Sequence, residues 1–491
     1  MAGLNALVEY PYGCTEQRIA LASAGLAMKP FAPLLAAAGL EDRLANDVRN
    51  TLRAIEQAID ADGLVAFWPR SRGNVSLTAW ALSFVATAEK AGEPVDKSLV
   101  DRLANVLKLA LRSDYGRLLR GEDLRERVEA LTALAEAGRL DEAYVAELAR
   151  RAEIMPNVSA AQMTAVVARL AGDDRRLLTG LTETLWSRVK ILQRDGRPVY
   201  SGLAAEGGNP LILPSETRSL AEITRAVALA APDDARLSVL RDGLMRIAGG
   251  TGWGTTNANV AAVRALAAVW QRPAAQLPLT LSRGSAGERL VLDGEHPVVR
   301  NISAEPGAAG IDNGGGAPVV ALIDTRYQPL EPGSRAQPVA QGFVLTRQAF
   351  RVPGGGAPPE RLAPDGEGAI RLSVGDIVEE TAELVNPEDR THVAIVLPLA
   401  AGLEPLNPGL ATAPAEATPS SAPTLVPTAV SFTDDRVLFA YDSLPKGNYR
   451  FAFRSRALIP GSFTQPPGEA ETMYQPGVTG ASAGARIVIA R

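Results

Sequence analysis

The 491-residue sequence changes its grammar once, near Arg272-Pro273, and that change limits the fold more than any other feature. All five tryptophans (Trp68, Trp80, Trp186, Trp253, Trp270) precede it, whereas 25 of the 35 prolines lie at or after it. Proline removes a backbone donor and fixes φ, so the first stretch permits helices and the second is punctuated like strands and turns. A chain this long exceeds one compact core, and its length suggests about three domains. The expected fold class is therefore multidomain, α then β.

In the first stretch, Ala/Leu-rich helical patterns open near Cys14, Val75, Arg125, Ser159, Glu216 and Asn259. Several follow a polar cap and carry an i, i+3, i+4 apolar stripe, as in Leu77-Thr78-Ala79-Trp80-Ala81-Leu82-Ser83-Phe84. Further helical patterns, such as Asp42 to Ile59 and Ser98 to Leu111, sit between them. This alternation predicts stacked helical hairpins. An open solenoid would need polar capping repeats, and none is visible, so a closed ring, an α/α toroid, is the economical arrangement.

The second stretch holds short β-branched runs: 318–323, 342–345, 392–397, 436–441 and 449–453. Some alternate and some are continuously apolar, which predicts strands of a two-sheet sandwich. Segments 354–365 and 409–426 are rich in Pro, Gly, Ala, Ser and Thr and read as long mobile loops.

Composition excludes several functions. With net charge −5 and no long block of Lys and Arg, nucleic acid is not an expected partner. No run of about twenty apolar residues is present to span a membrane. Met1 to Val8 lack the charged and apolar regions of a signal peptide, and the chain is expected to be an excised fragment. The one cysteine permits no intramolecular disulfide, which leaves Cys14 conspicuous.

Cys14 and Gln17 are three residues apart at a predicted helix start, so their side chains share one face of the first turn. A helix N-terminus favours the thiolate over the thiol. Attack of that sulfur on the Gln17 carboxamide, with loss of ammonia, would give an internal thioester. The product is a stored acyl donor: a nucleophile reaching the Gln17 carbonyl carbon is acylated and the Cys14 thiol is released. Gly13 lets the backbone turn tightly beside the ring. Spacing alone is a weak signal, since a lone cysteine is more often a small buried hydrophobe.

The longer string Tyr10-Pro11-Tyr12-Gly13-Cys14-Thr15-Glu16-Gln17 resembles the thioester signature of bacterial α2-macroglobulins, relatives of the thioester complement proteins. Near the other end, Gly402-Leu403-Glu404, Arg454-Ser455-Arg456-Ala457, Pro460-Gly461-Ser462-Phe463, Pro466-Pro467 and Met473-Tyr474-Gln475-Pro476 resemble that family's final domain. Two motif groups in the family's order are harder to reach by chance than either alone. The resemblance implies an α/α-toroid thioester domain over 1–272, the C-terminal half of a CUB-like β domain over 275–328, and a final macroglobulin-like β-sandwich over 335–491. It implies a broad-spectrum protease trap, not an enzyme, that acylates amines of an attacking protease through Gln17. Gly13 and Glu16 would support the motif. Tyr10, Tyr12, Met473 and Tyr474 would shield the bond from water. Partners would be target proteases and small amines such as methylamine. No cofactor, metal or membrane contact is expected of the fragment, which would be a monomer. The family implies a periplasmic protein, possibly anchored in the inner membrane as part of a longer parent. The bait region and upstream macroglobulin-like domains of the family are not in this sequence.

Only His296 and His392 occur, both in the β-rich stretch, where they read as ordinary surface or strand residues. A helical ring without histidine argues against a Cys-His protease and predicts direct attack by amines rather than transfer to hydroxyls. Two other functions stay open. A carbohydrate-active α/α-toroid enzyme would need paired carboxylates at the ring mouth, for which Asp60, Asp62, Glu206 and Glu216 are candidates that no spacing singles out. An interaction module with an unreactive motif is the other.

Overall fold

A computed structural model describes all residues except 1–2, 4–6, 9–11, 38, 113–115, 117, 120–122, 171–174, 195, 205–212, 214, 250–251, 271–275, 284–285, 294–297, 299, 301–308, 315–318, 320, 322–336 and 354–356. The grammatical break at Arg272-Pro273, the run at 318–323, His296 and Tyr10 lie wholly or largely outside the described residues. The chain divides into two compact units, Met1–Thr325 and Arg326–Arg491.

The first unit is helical: α1 (Thr15–Met28), α2 (Ala32–Ala37), α3 (Glu41–Gln57), α4 (Val75–Lys90), α5 (Lys97–Leu111), α6 (Asp123–Glu136), α7 (Ala143–Ala149), α8 (Asn157–Leu170), α9 (Arg175–Ser187), α10 (Glu216–Ala230), α11 (Leu237–Ile247) and α12 (Thr256–Ala268). The antiparallel hairpin Val189–Arg194/Arg197–Leu203 separates α9 from α10. Six helices pack in a cycle: α1 on α4, α4 on α6, α6 on α8, α8 on α10, α10 on α12, and α12 back on α1. These are the six helices whose starts the sequence marks. The others lie outside the cycle, α3 on α1, α5 across α4 and α6, α9 on α8, and α11 on α10.

Side-chain pattern decides which helix goes where. In α3 the buried residues are Leu44, Val48, Thr51 and Ile55, a single stripe, so its remaining surface faces water. In α8 every residue from Asn157 to Val167 is buried, and α4 is likewise buried on most sides at Val75, Leu77, Ala81, Leu82, Val85 and Ala88. A helix contacted on all sides belongs in an inner layer, and alanine lets its neighbours approach closely. The expected one-sided stripe over 77–84 thus proves too narrow. Several inner helices begin with a capping side chain: Asn74 Oδ1 accepts Leu77 N–H at 2.8 Å, and Ser215 Oγ accepts Arg218 N–H at 3.3 Å. After α12 the first unit ends in a three-stranded antiparallel sheet, with Leu277–Arg283 between Ala286–Leu292 and Ala309–Asn313.

The second unit is sheet-rich. A five-stranded sheet runs in the order 403–406, 447–457, 377–386, 344–352, 360–362. A six-stranded sheet runs 429–433, 436–444, 390–398, 469–472, 479–481, 339–341, and a smaller one pairs 461–465, 485–490 and 369–373. Phe451 of the first sheet meets Phe439 of the second with ring centroids 5.2 Å apart. Around them Leu345, Leu384, Ile395, Leu397 and Phe453 fill one core, as the alternation predicts.

One expectation fails here. The segment 409–426 is tied down rather than mobile: Ser420 N–H and Oγ–H both donate to buried Glu379 at 2.9 Å, and Tyr441 O–H donates to the Leu425 carbonyl at 2.8 Å. Side chains of the sheets add to the few turns that the segment makes with itself, such as Ala413 N–H to the Leu410 carbonyl at 3.0 Å and Ala417 N–H to the Pro414 carbonyl at 2.9 Å. His392 is in a strand but not at the surface. It is buried, its φ is +52°, and burial lowers its pKa to about 4.

Candidate functional site

Cys14 is the N-cap of α1, in an extended conformation after Gly13, whose φ of +66° is left-handed. Arg18 holds that turn by donating from Nε to the Gly13 carbonyl at 2.8 Å. The Cys14 side chain faces the Gln17 backbone N–H, while Gln17 Oε1 accepts the Cys14 backbone N–H at 3.1 Å. This is the reciprocal pattern of a capping box with sulfur in place of a hydroxyl. It lays the Gln17 carboxamide beside the Cys14 side chain, and the N–H on Oε1 would also stabilise the oxyanion formed by attack at that carbon.

Gln17 Nε2 is buried with no hydrogen-bond partner among the described residues. An unsatisfied buried N–H group costs about 1–3 kcal/mol. Departure of that nitrogen as ammonia would remove the cost.

The site is closed to water. Cys14 is 1% exposed and Gln17 5%, and Tyr12 and Glu16 are buried. Thr15 N–H donates to the Phe67 carbonyl at 2.9 Å, which brings the segment between α3 and α4 against the motif. Asp60 holds that segment in shape by accepting backbone N–H groups of Asp62, Leu64 and Gly73 at 2.9, 2.9 and 2.7 Å.

Glu16 accepts the Thr256 hydroxyl at 2.7 Å, so the first residues of α1 and α12 meet. It also borders a small cavity with Leu77, Trp80 and Arg218, from the starts of α4 and α10. Four helix N-termini therefore gather near the motif, and their positive ends favour a buried carboxylate and a thiolate leaving group. The reading of the sequence missed Phe67, Thr256 and Arg18. Phe67 acts through its carbonyl, which no residue type signals, and Thr256 sits 240 residues from Glu16.

Deeper in the ring lies a buried charge cluster. Arg218 pairs with Glu129 at 3.0 Å and stacks on Trp80 at 4.3 Å. Glu136 meets Arg225, Arg169 and Arg264 at 3.2, 3.3 and 3.7 Å. Burial pushes the Glu136 carboxyl up, but the three arginines outweigh it and hold it at about 2. A glycosidase acid needs a raised value, which such pairing opposes. The suggested acids do not converge either. Asp60 organises a loop, Asp62 is exposed, Glu216 accepts the Tyr200 hydroxyl at 2.7 Å, and Glu206 lies outside the described residues.

Met473 and Tyr474 lie in the second unit, after strand Glu469–Thr472. Met473 is buried and donates its N–H to the His392 carbonyl at 2.8 Å, and the Tyr474 ring meets the His392 ring edge-on at 5.1 Å.

Residues 342–477 match the family described as the bacterial alpha-2-macroglobulin MG10 domain. Among solved structures, Salmonella alpha-2-macroglobulin, including its form reacted with methylamine, is similar to the whole of this chain at TM-score 0.74 and 19% identity. Escherichia coli alpha-2-macroglobulin spanning domain MG7 to the C-terminus is similar at TM-score 0.68 and 17% identity, covering 100% of this chain and 75% of that one. The chain spans 30% of the length of the Salmonella protein. No match was found among curated proteins. At these identities the structural likeness establishes the fold: a helical region followed by sheet-rich domains.

Proposed function

We propose that this chain, whose residues 342–477 match the bacterial alpha-2-macroglobulin MG10 domain, is the thioester-carrying part of a protease trap. The helical cycle is then the α/α toroid of the thioester domain. The sheet over 277–313 is its CUB-like half-domain, and the final sandwich is the macroglobulin-like domain. Cys14 and Gln17 form the bond, Gly13 and Glu16 support it, and Tyr12 covers it, with Met473 and Tyr474 in the shielding role the resemblance gives them. An attacking protease offers a lysine amine, the amine nitrogen takes the Gln17 acyl carbon, and the Cys14 thiol is freed. Location in the periplasm belongs to the same proposal.

The observation that carries this reading is the reciprocal placement of Cys14 and Gln17, both buried, with Gln17 Nε2 unpaired among the described residues. Intact mass of freshly purified protein tests it. The expected result is a mass lower than the sequence mass by one ammonia, with free thiol low until methylamine is added and high afterwards. The full sequence mass together with a freely labelled Cys14 would remove the thioester and leave an unreactive module.

A further inference from the structure

The first-turn N–H groups of α1 point off its open end, because no helical carbonyls precede them. Two of them meet different neighbours. The Cys14 side chain faces the Gln17 N–H, and the Phe67 carbonyl takes the Thr15 N–H at 2.9 Å. The Phe67 carbonyl and the Cys14 side chain therefore abut the same end of one helix, roughly 5 Å apart, the diameter of the backbone turn. In the thioester form the Gln17 acyl carbon is bonded to that sulfur, so the segment carrying Phe67 lies beside the reacting bond. That segment is the connection 58–74 between α3 and α4, in which Leu64, Val65, Ala66, Phe67 and Trp68 are all buried. Connections normally run over the surface with their backbone in water. This one is packed as a cover on the α1 end.

A cover with so little regular structure needs its own fastening. Backbone bonds supply part of it, from Ala66 N–H to the Ala58 carbonyl at 2.9 Å and from Asn74 N–H to the Val65 carbonyl at 3.1 Å. One side chain spans more of the segment than either. Asp60 Oδ1 accepts the N–H groups of Asp62 and Leu64, both at 2.9 Å, and Oδ2 accepts that of Gly73 at 2.7 Å. A single carboxylate thus ties the start of the segment to its end. Gly73 makes the crossing possible, since a Cβ there would lie 2.5 Å from the Leu64 carbonyl oxygen. Bonds to an ionised acceptor are roughly twice as strong as neutral ones. Resting on the thioester reading above, we propose that Asp60 is a positioning residue for the acyl group: by holding 58–74 closed on the α1 end, it sets how fast water and small amines reach the Gln17 acyl carbon.

The chemistry that Asp60 restrains is acyl transfer from sulfur. Water or a neutral amine adds to the Gln17 acyl carbon, the carbon–sulfur bond breaks, and Cys14 leaves as a thiolate that takes up the proton its attacker loses. Water leaves a carboxylate at position 17, and methylamine leaves a methylamide; either frees the Cys14 thiol. Both attackers reach the carbon only while the cover is open, so their rates follow the population of that local opening rather than of global unfolding.

The test compares the parent chain with Asp60→Asn, Asp60→Ala and Leu240→Ala. It follows thiol release in buffer and in methylamine, with intact mass, a peptide map and the unfolding midpoint alongside. Asparagine keeps the Oδ1 acceptor and loses the bond to Gly73, whereas alanine loses all three bonds. Leu240 is fully buried in α11, which packs on α10, and its truncation lowers stability without touching 58–74. Asp60→Asn is expected to release thiol roughly tenfold faster than the parent in both solutions, and Asp60→Ala faster still. Leu240→Ala is expected to lower the unfolding midpoint and release thiol at the parental rate. An Asp60→Asn chain isolated with a carboxylate at position 17 would be the extreme of the same outcome. An unreacted carboxamide there would mean that the bond never formed, and would overturn the proposal. Parental thiol release by Asp60→Asn would overturn it too, as would equal acceleration by Leu240→Ala, which would make the effect one of global stability. Should Asp60→Ala not fold, the asparagine comparison decides by itself. A parent at full sequence mass would instead refute the thioester reading itself, and this proposal with it.

Discussion

Gly13 occupies a left-handed conformation, φ +66°, next to the residue that must present its sulfur. A Cβ there would come no nearer than 3.4 Å to Arg18 Nη2, so space does not forbid alanine. The backbone does, because a non-glycine residue in that conformation costs about 1–2 kcal/mol. Gly13→Ala is expected to lose about that much stability, or to relax by turning the Cys14 N–H away from Gln17 Oε1. Either way the fraction of chains lacking one ammonia should fall, as intact mass would record. An unchanged fraction at unchanged stability would mean that the turn does not position the reacting pair. The pairing of Cys14 with Gln17 was legible because it is local, three residues within one helical turn. Glu16 was legible as part of a motif, but its partner Thr256 was not, since no local pattern reports a contact across 240 residues.

At the level of single elements, strand Arg390–Pro398 shows how local rules yield to packing. His392 sits mid-strand with φ +52°, and the ladder to strand Arg436–Leu444 skips the His392/Asp442 pair while keeping register on either side. The continuous apolar run predicted the strand, but not the burial of this residue, because its environment comes from Met473 and Tyr474, about eighty positions away in sequence. Burial lowers the His392 pKa from 6.5 to about 4, so the folded imidazole stays neutral where the unfolded one would gain a proton. Its contribution to stability is full above pH 6.5 and falls as pH drops from there toward 4, by up to about 3 kcal/mol. His392→Asn, which tolerates a left-handed backbone, should flatten that part of the curve of unfolding midpoint against pH. A variant that keeps the parental slope between pH 6.5 and 4 would place the titration elsewhere. The Pro-rich stretch 409–426 teaches the same lesson: composition predicted a mobile loop, and three strand side chains, Glu379, Tyr441 and Arg454 (which donates to the Glu416 carbonyl at 3.1 Å), fixed it.

For the helical unit as a whole, the cycle is closed by charge as well as by apolar packing. Glu136 of α6 joins Arg169 of α8, Arg225 of α10 and Arg264 of α12, so one carboxylate links four of the six helices. Glu136→Gln would leave three buried or half-buried guanidiniums short of a countercharge, at about 3–5 kcal/mol. With its folded pKa lowered to about 2, Glu136 contributes stability above about pH 4.5 that is lost as pH falls toward 2. The gap between parent and Glu136→Gln should therefore be widest near neutral pH and narrow over that window, as denaturant titrations would show. A gap independent of pH would mean that the variant acts through packing alone.

The sequence by itself determined what depends on neighbours a few residues apart. It set the six helix starts, the strands at 392–397, 436–441 and 449–453, and the cysteine and glutamine on one helical turn, since caps, periodicity and i, i+3 spacing are local. The tertiary structure decided what depends on residues brought from afar. Ring closure places α12 against α1, so that Thr256 can reach Glu16 and helix N-termini can gather near the motif. The Phe67 carbonyl meets Thr15 only because α3 and α4 flank α1. The physical reason is that a closed cycle buries its inner helices on every side, and which surfaces then meet is set by the shape of the whole ring rather than by any one segment.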